Sequence, residues 1–269
     1  MTLVWFTDKY QEGIYTIKVE AWDSAGNYYT SSKRAALVKQ ETYLGDWYFA
    51  GGTTRPGFDE YLCVYNPERK ADTAVTFEFL NASGAGKSGK GPYTVKAWTR
   101  ATFSVRELAG DNQDVAVRVH SEGAPVIVER PMYFNYHGLT GGTTTMGLNI
   151  LQKEYYFAEG TTREGFDEYL CLANFGTEPA SVTATFMLET GQQVPVNLPV
   201  PAKSRVTVPV VNYVGRGHDV SMKVTSDKPV TAERSMYFNY RGLTDGSVST
   251  GTTSPSTTWY FAEGCTQPG

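Results

Sequence analysis

Apolar and polar positions alternate with a period of two along most of this chain. The pattern is clearest in 180–188 (ASVTATFML), 193–200 (QVPVNLPV) and 204–211 (SRVTVPVV), followed by 219–224 and 230–238. A strand sends successive side chains to opposite faces, so such runs, broken by Gly, Pro, Asn and Asp, predict half-buried antiparallel strands. No helical period extends beyond a turn.

The strand pattern recurs. Residues 47–66 (WYFAGGTTRPGFDEYLCVYN) and 155–174 (YYFAEGTTREGFDEYLCLAN) agree at 15 of 20 positions, and 129–142 (ERPMYFNYHGLTGG) agrees with 233–246 (ERSMYFNYRGLTDG) at 11 of 14. A third opening, WYFAEGCTQPG, begins at Trp259. The offset between copies slides from 108 to 104, so loop deletions separate two tandem modules of just over 100 residues. Seven or eight strands in that length predict a β-sandwich per module. The fold expected is all-β, with two tandem immunoglobulin-like antiparallel sandwiches at 47–154 and 155–258. Partial modules flank them at 1–46 and 259–269.

Residues 13–31 carry a hairpin pattern around Ser24-Ala25-Gly26-Asn27, and Leu3-Val4-Trp5-Phe6 reads as a third short strand. The words resemble the last two strands of a bacterial immunoglobulin-like domain. Two or three strands alone bury too little surface to be stable. The chain is therefore expected to start inside one domain and stop inside another. It is then either a slice of a longer repetitive protein or a subunit whose ends complete each other in trans. In the second case Trp259, Tyr260 and Phe261 form a donor strand for a neighbour's sheet, and the head-to-tail contact propagates as a filament.

Composition removes several classes. The 269 residues carry 24 basic and 28 acidic side chains, a net charge of −4 with no basic cluster, so nucleic acid is not an expected partner. Charged residues are 19%, against roughly 25% in an average soluble domain. Aromatics at 13% place the chain outside the disordered class. No apolar run approaches the length of a membrane-spanning helix. Residues 1–8 lack the basic and apolar regions of a signal peptide, so an export signal would lie upstream or have been removed.

The openings Trp47-Tyr-Phe-Ala-Gly-Gly-Thr-Thr and Tyr155-Tyr-Phe-Ala-Glu-Gly-Thr-Thr, with Glu-Arg-x-Met-Tyr-Phe-Asn late in each module, resemble a known repeat. It is the WYFAEG-type domain of unknown function, found in tandem in large secreted and surface-anchored bacterial proteins, often beside immunoglobulin-like modules. The resemblance covers 47–269 and implies an extracellular stalk, wall or surface-layer element. It supplies no catalytic residues.

Candidate chemistry centres on Arg55, Asp59 and Glu60, their copies Arg163, Asp167 and Glu168, and the late pairs Glu129–Arg130 and Glu233–Arg234. Paired carboxylates suit glycoside hydrolysis or Ca²⁺ ligation. The favoured reading is a structural polar network tying the first loop to the last strand, because catalytic sites are seldom duplicated in tandem. No enzyme activity, metal or other cofactor is therefore expected, with Ca²⁺ the weaker alternative. The GKS letters at 86–88 lack the earlier glycine of a phosphate loop, since that position is Asn81. His120, His137 and His218 share no metal spacing.

Cys63 and Cys171 hold equivalent strand positions a module apart, too far to pair within one chain, and read as small buried apolar residues. Cys265 replaces the Thr of the other openings and is the candidate for an intermolecular disulfide with Cys63 or Cys171 of a neighbour. Tyr133 and Tyr136 are expected on the side opposite Phe134, with core packing favoured over a sugar-stacking platform. Asn81-Ala82-Ser83 is a glycosylation sequon, and 247–258 is a Ser/Thr-rich linker.

The function expected is an extracellular, cell-surface structural protein. It would be a rod, stalk or filament subunit whose partners are its own copies head-to-tail or adjoining domains of a longer chain. The alternative is an adhesin or carbohydrate-binding module recognising surface glycans. A hydrolase using the Asp59/Glu60 carboxylates stands well behind both.

Overall fold

The computed structural model describes residues 13–37, 45–84, 86, 89–262, 264 and 266. The chain forms two compact units, Met1–Tyr43 and Leu44–Gly269. In the first, β1 (Gly13–Trp22) and β2 (Tyr28–Leu37) pair antiparallel from Gly13↔Leu37 to Trp22↔Tyr28. Their turn is organised by Asp23, whose carboxylate accepts from the amides of Ala25 and Asn27, both at 2.9 Å. The third strand expected at 3–6 lies outside the described residues, as does Cys265.

The second unit is all-β and antiparallel, as the alternation predicts. Its first sandwich contains β3 (Asp46–Phe49), β4 (Phe58–Tyr65), β5 (Thr73–Leu80), β6 (Lys90–Val95), β7 (Arg100–Ser104), β8 (Ala116–Glu122), β9 (Ile127–Tyr136) and β10 (Leu139–Met146). They form two four-stranded sheets, β3-β8-β5-β6 and β10-β9-β4-β7. A single helical turn, α1 (Val105–Ala109), follows β7 and is capped by the Ser104 hydroxyl.

The second sandwich repeats the plan with β11 (Gln152–Phe157), β12 (Phe166–Asn174), β13 (Ala180–Leu188), β14 (Gln193–Val200), β15 (Ser204–Pro209), α2 (Val211–Val214), β16 (Val220–Tyr240) and β17 (Leu243–Thr250). Here the two strands read at 219–224 and 230–238 are one continuous β16. Its first half pairs with β11 and β13, and its second half with β12 and β17. The first sandwich breaks the same path between β8 and β9 at Gly123-Ala124-Pro125, where Gly123 turns out of the ladder at φ +99°.

Alternation sets both cores. Leu62, Val64, Val75, Phe77, Phe79 and Val128 fill the first, and Leu170, Leu172, Val182, Phe186, Met222 and Ala232 fill the second. Each large side chain buried this way contributes roughly 1.5–3 kcal/mol. Entry and exit of each sandwich are joined directly. The amides and carbonyls of Tyr48 and Leu148 bond reciprocally at 2.7 and 3.0 Å, as do those of Tyr156 and Thr252 at 2.8 and 3.0 Å.

Candidate functional site: the joint between the sandwiches

The inward-facing row of β4 continues past the first core from Val64 and Leu62 to Glu60 and Phe58, and that of β9 from Val128 to Arg130, Met132 and Phe134. All of these residues are buried. The second sandwich covers them. Residues on the outer side of its β12, β15 and β16 (Tyr169, Cys171, Ala173, Arg205, Glu233 and Tyr237) lie against this end of the first sandwich. The joint thus brings an end of one module onto the sheet face of the next.

Its apolar part is aromatic. Tyr237 meets Phe134 edge-on at 4.9 Å between ring centres and Phe58 at 6.0 Å, and the hydroxyls of Tyr136 and Tyr169 are 2.7 Å apart. Ala50, Leu80, Ala116, Cys171, Ala173 and Phe175 form a second cluster. Tyr136 lies on the Phe134 side, not opposite it, because residues two apart on a strand share a face. Tyr133 points the other way and is 59% exposed.

Its polar part is a buried guanidinium shared by two carboxylates from different modules. Arg130 Nη2 lies 3.0 Å from Glu233 Oε2, and Arg130 Nε lies 3.7 Å from Glu60 Oε1. Glu233 Oε2 also accepts from the Gly51 amide at 2.9 Å, and Glu60 Oε2 from the Thr53 amide at 2.7 Å. Gly51 keeps this approach uncrowded. A Cβ there would stand 3.0 Å from Cys171 Sγ and 3.2 Å from Glu233 Oε2. Burial pushes the Glu60 carboxyl up to about 7 against the pull of Arg130. Lys203 Nζ reaches Glu78 at 2.8 Å, a further bond between the sandwiches. A cleft of about 300 Å³ opens on the joint beside Arg55, Asp114, Arg130, Arg205 and Tyr136.

The predicted polar residues divide among several contacts. Arg55 pairs with Asp114, and Arg163 with Asp219 at 2.5 Å, each across its own loop. Asp59 lies 3.7 Å from Arg106, and Asp167 lies 3.0 Å from Arg216. Asp59 and Glu60, adjacent in β4, point to opposite faces. Glu129 is exposed although its copy Glu233 is fully buried. In the second module Arg234 is 4% exposed and pairs with Glu159, the residue that replaces Gly51. Glu168 is buried beside it, and burial pushes its carboxyl up to about 8 against the pull of Arg234. Among the described residues no group of three or more potential ligands is placed to hold a metal ion.

Cys63 is half-buried, whereas Cys171 is enclosed in the joint, where burial raises its thiol. Trp259, Tyr260 and Phe261 are exposed and outside any described strand. Asn81 sits at the rim of the joint, its carbonyl accepting from the Arg205 amide at 3.3 Å.

Two groups escaped the sequence reading. Arg205 is 3% exposed and donates to the Ala50 carbonyl across the joint. Asn66 and Asn174 are fully buried, and each donates to one loop carbonyl and to the carbonyl of a strand's last residue, at 2.8–3.2 Å. Both asparagines end the repeated word 47–66/155–174, a signal that was available.

Residues 45–128 match a family described as "Family of unknown function (DUF5719)". No curated protein matches the chain. Among solved structures, the chain is similar in part to one titled "Crystal Structure of Thermotoga maritima 1070", at 19% identity over 38% of this chain and 94% of that one, with a TM-score of 0.35. It is also similar in part to the Anabaena sensory rhodopsin transducer, at 25% identity over 32% and 96%, with a TM-score of 0.29.

Proposed function

We propose that this chain is a structural segment of an extracellular, cell-surface rod, stalk or filament, built from sandwiches stacked in series. The observation that carries this reading is the joint, where a buried Arg130–Glu233 pair and an aromatic cluster fix one module on the next. A flexible string of binding domains would have no need of such a contact. In this reading Trp259–Phe261 pairs with strands of a further module of its own kind, because the same words form the opening strands of the first two modules. That pairing is the strand addition that would link subunits or modules.

Surface shaving tests the location. Intact source cells are treated with protease, and peptides from 44–269 are sought in the supernatant with immunogold labelling in parallel. Release of these peptides and label outside the envelope are expected. Retention of all peptides inside intact cells would overturn the reading.

One observation favours a second role, as an adhesin or glycan-binding module: Trp98 and Tyr133 on the first sandwich are 53% and 59% exposed. Their rings stand edge-on to Tyr65 and Tyr61, at 62° and 67°, so they form no flat platform.

A further inference from the structure

The joint pairs two unlike surfaces, an end and a sheet face. Because the modules are copies, each surface exists twice and is used once. The unused sheet face belongs to the first sandwich. Its Tyr61, Cys63, Glu129 and Tyr133 are the copies of Tyr169, Cys171, Glu233 and Tyr237, the residues that cover the joint. The match extends to the neighbouring strand: Arg100 donates to Thr102 at 2.8 Å just as Arg205 donates to Thr207 at 2.7 Å, at the same register positions. Yet Glu129 and Arg100 are exposed where Glu233 and Arg205 are buried.

The unused end belongs to the second sandwich. Phe166, Arg234, Met236, Phe238 and Tyr240 copy Phe58, Arg130, Met132, Phe134 and Tyr136. Phe58 and Phe134 are 7% and 4% exposed, whereas Phe166 and Phe238 are only half-buried and Tyr240 is 49% exposed. One of these surfaces thus offers an exposed Glu129 beside the exposed Tyr133. The other offers a nearly buried Arg234 beside under-covered rings.

We infer that the outer face of β4, β7 and β9 is a docking surface for the second-sandwich end of another copy of this chain, in the arrangement that joins the two sandwiches. Glu129 of one copy enters beside Arg234 of the other, and Tyr133 packs among Phe166, Phe238 and Tyr240. The contact is heterologous and open-ended, so it continues from copy to copy. The copied interface is looser than the original, because Glu159 replaces Gly51 at the end surface. Glu159 already pairs with Arg234 and has to give way. Association is therefore concentration-dependent and weaker than the joint within the chain.

The inference rests on the serial-stacking reading and adds its partner and surface. Sedimentation velocity of the full chain from 1 to about 300 µM tests it, with Glu129→Arg and Tyr240→Asp as exposed substitutions that leave both cores intact. The wild-type chain is expected to form a ladder of oligomers. Each variant alone is expected to weaken association at least tenfold. Mixed, the two variants are expected to stop at a 1:1 complex, because each retains the surface the other has lost. Glu159→Gly, which frees the slot beside Arg234, is expected to tighten association of the wild-type face.

A wild-type chain that stays monomeric throughout would overturn the inference, as would oligomers indifferent to both variants. So would a monomer that binds polysaccharide in a Tyr133-dependent way. Failure of surface shaving would leave the oligomer result untouched, and a monomer here would leave the surface location untouched.

Discussion

At the scale of single residues, identical letters occupy opposite environments. Glu129 and Glu233 share the same local word, yet one is in solvent and the other is fully buried in a neighbouring module's network. A periodic pattern reports which side of a strand a residue takes, not whether a second domain covers that side. For this reason the sequence marked the Arg and carboxylate positions but not which of them meet, and the fold divides them among several separate contacts. The two raised carboxyls have a signed consequence. The unfolded chain releases these protons near pH 4.5, while the fold holds them to about 7 at Glu60 and about 8 at Glu168. Stability from these groups is therefore full below pH 4.5 and declines as pH rises through that window. Urea midpoints are expected to fall between pH 5 and 8, and Glu60→Gln with Glu168→Gln should flatten the fall. A midpoint rising over this range would mean that both carboxyls are ionised in the fold. Thiol labelling gives an independent check: Cys63 should react readily, and Cys171 only after unfolding, as read by peptide mass spectrometry.

At the scale of elements, the strands were largely written in the alternation. The boundaries 180–188 and 193–200 coincide with β13 and β14. The fusion of two expected strands into β16 was not legible, since Pro229 reads as a break and only pairing on both sides carries the ladder past it. Loops were the other blind spot. Asn66 and Asn174 each tie a loop carbonyl to one at a strand end, and strand periodicity does not register them. Replacing either by Ala removes both of these bonds, a loss of about 0.5–1.5 kcal/mol for each bond. Hydrogen exchange at the Glu68 and Gly176 amides, which donate to these side chains, should accelerate in the matching variant.

At the scale of the whole molecule, the joint makes the second unit more than two beads on a string. Removing Arg130 leaves Glu60 and Glu233 buried without their shared cation, at a cost of about 3–5 kcal/mol. The wild-type chain is expected to unfold its two sandwiches in one calorimetric transition, and Arg130→Ala to split that transition in two. Two unchanged, independent peaks in both proteins would show that the joint transmits no stability. The tandem plan itself was plain in the repeated words. The contact between modules was hidden because no single copy differs enough to mark which of its faces is covered.

The reciprocal Tyr48–Leu148 and Tyr156–Thr252 bonds also decide how the molecule carries tension. Each sandwich is entered and left at one point, so a pull along the backbone runs through a two-bond clasp and leaves the sandwich hanging beside the load line. While the clasp holds, a module adds almost nothing to the stretched length. Once it opens, roughly 100 residues stand behind it, about 330–360 Å of contour at full extension. In the proposed stalk, modules of this kind would stay short under modest force and hold a large reserve of length for the rare strong pull.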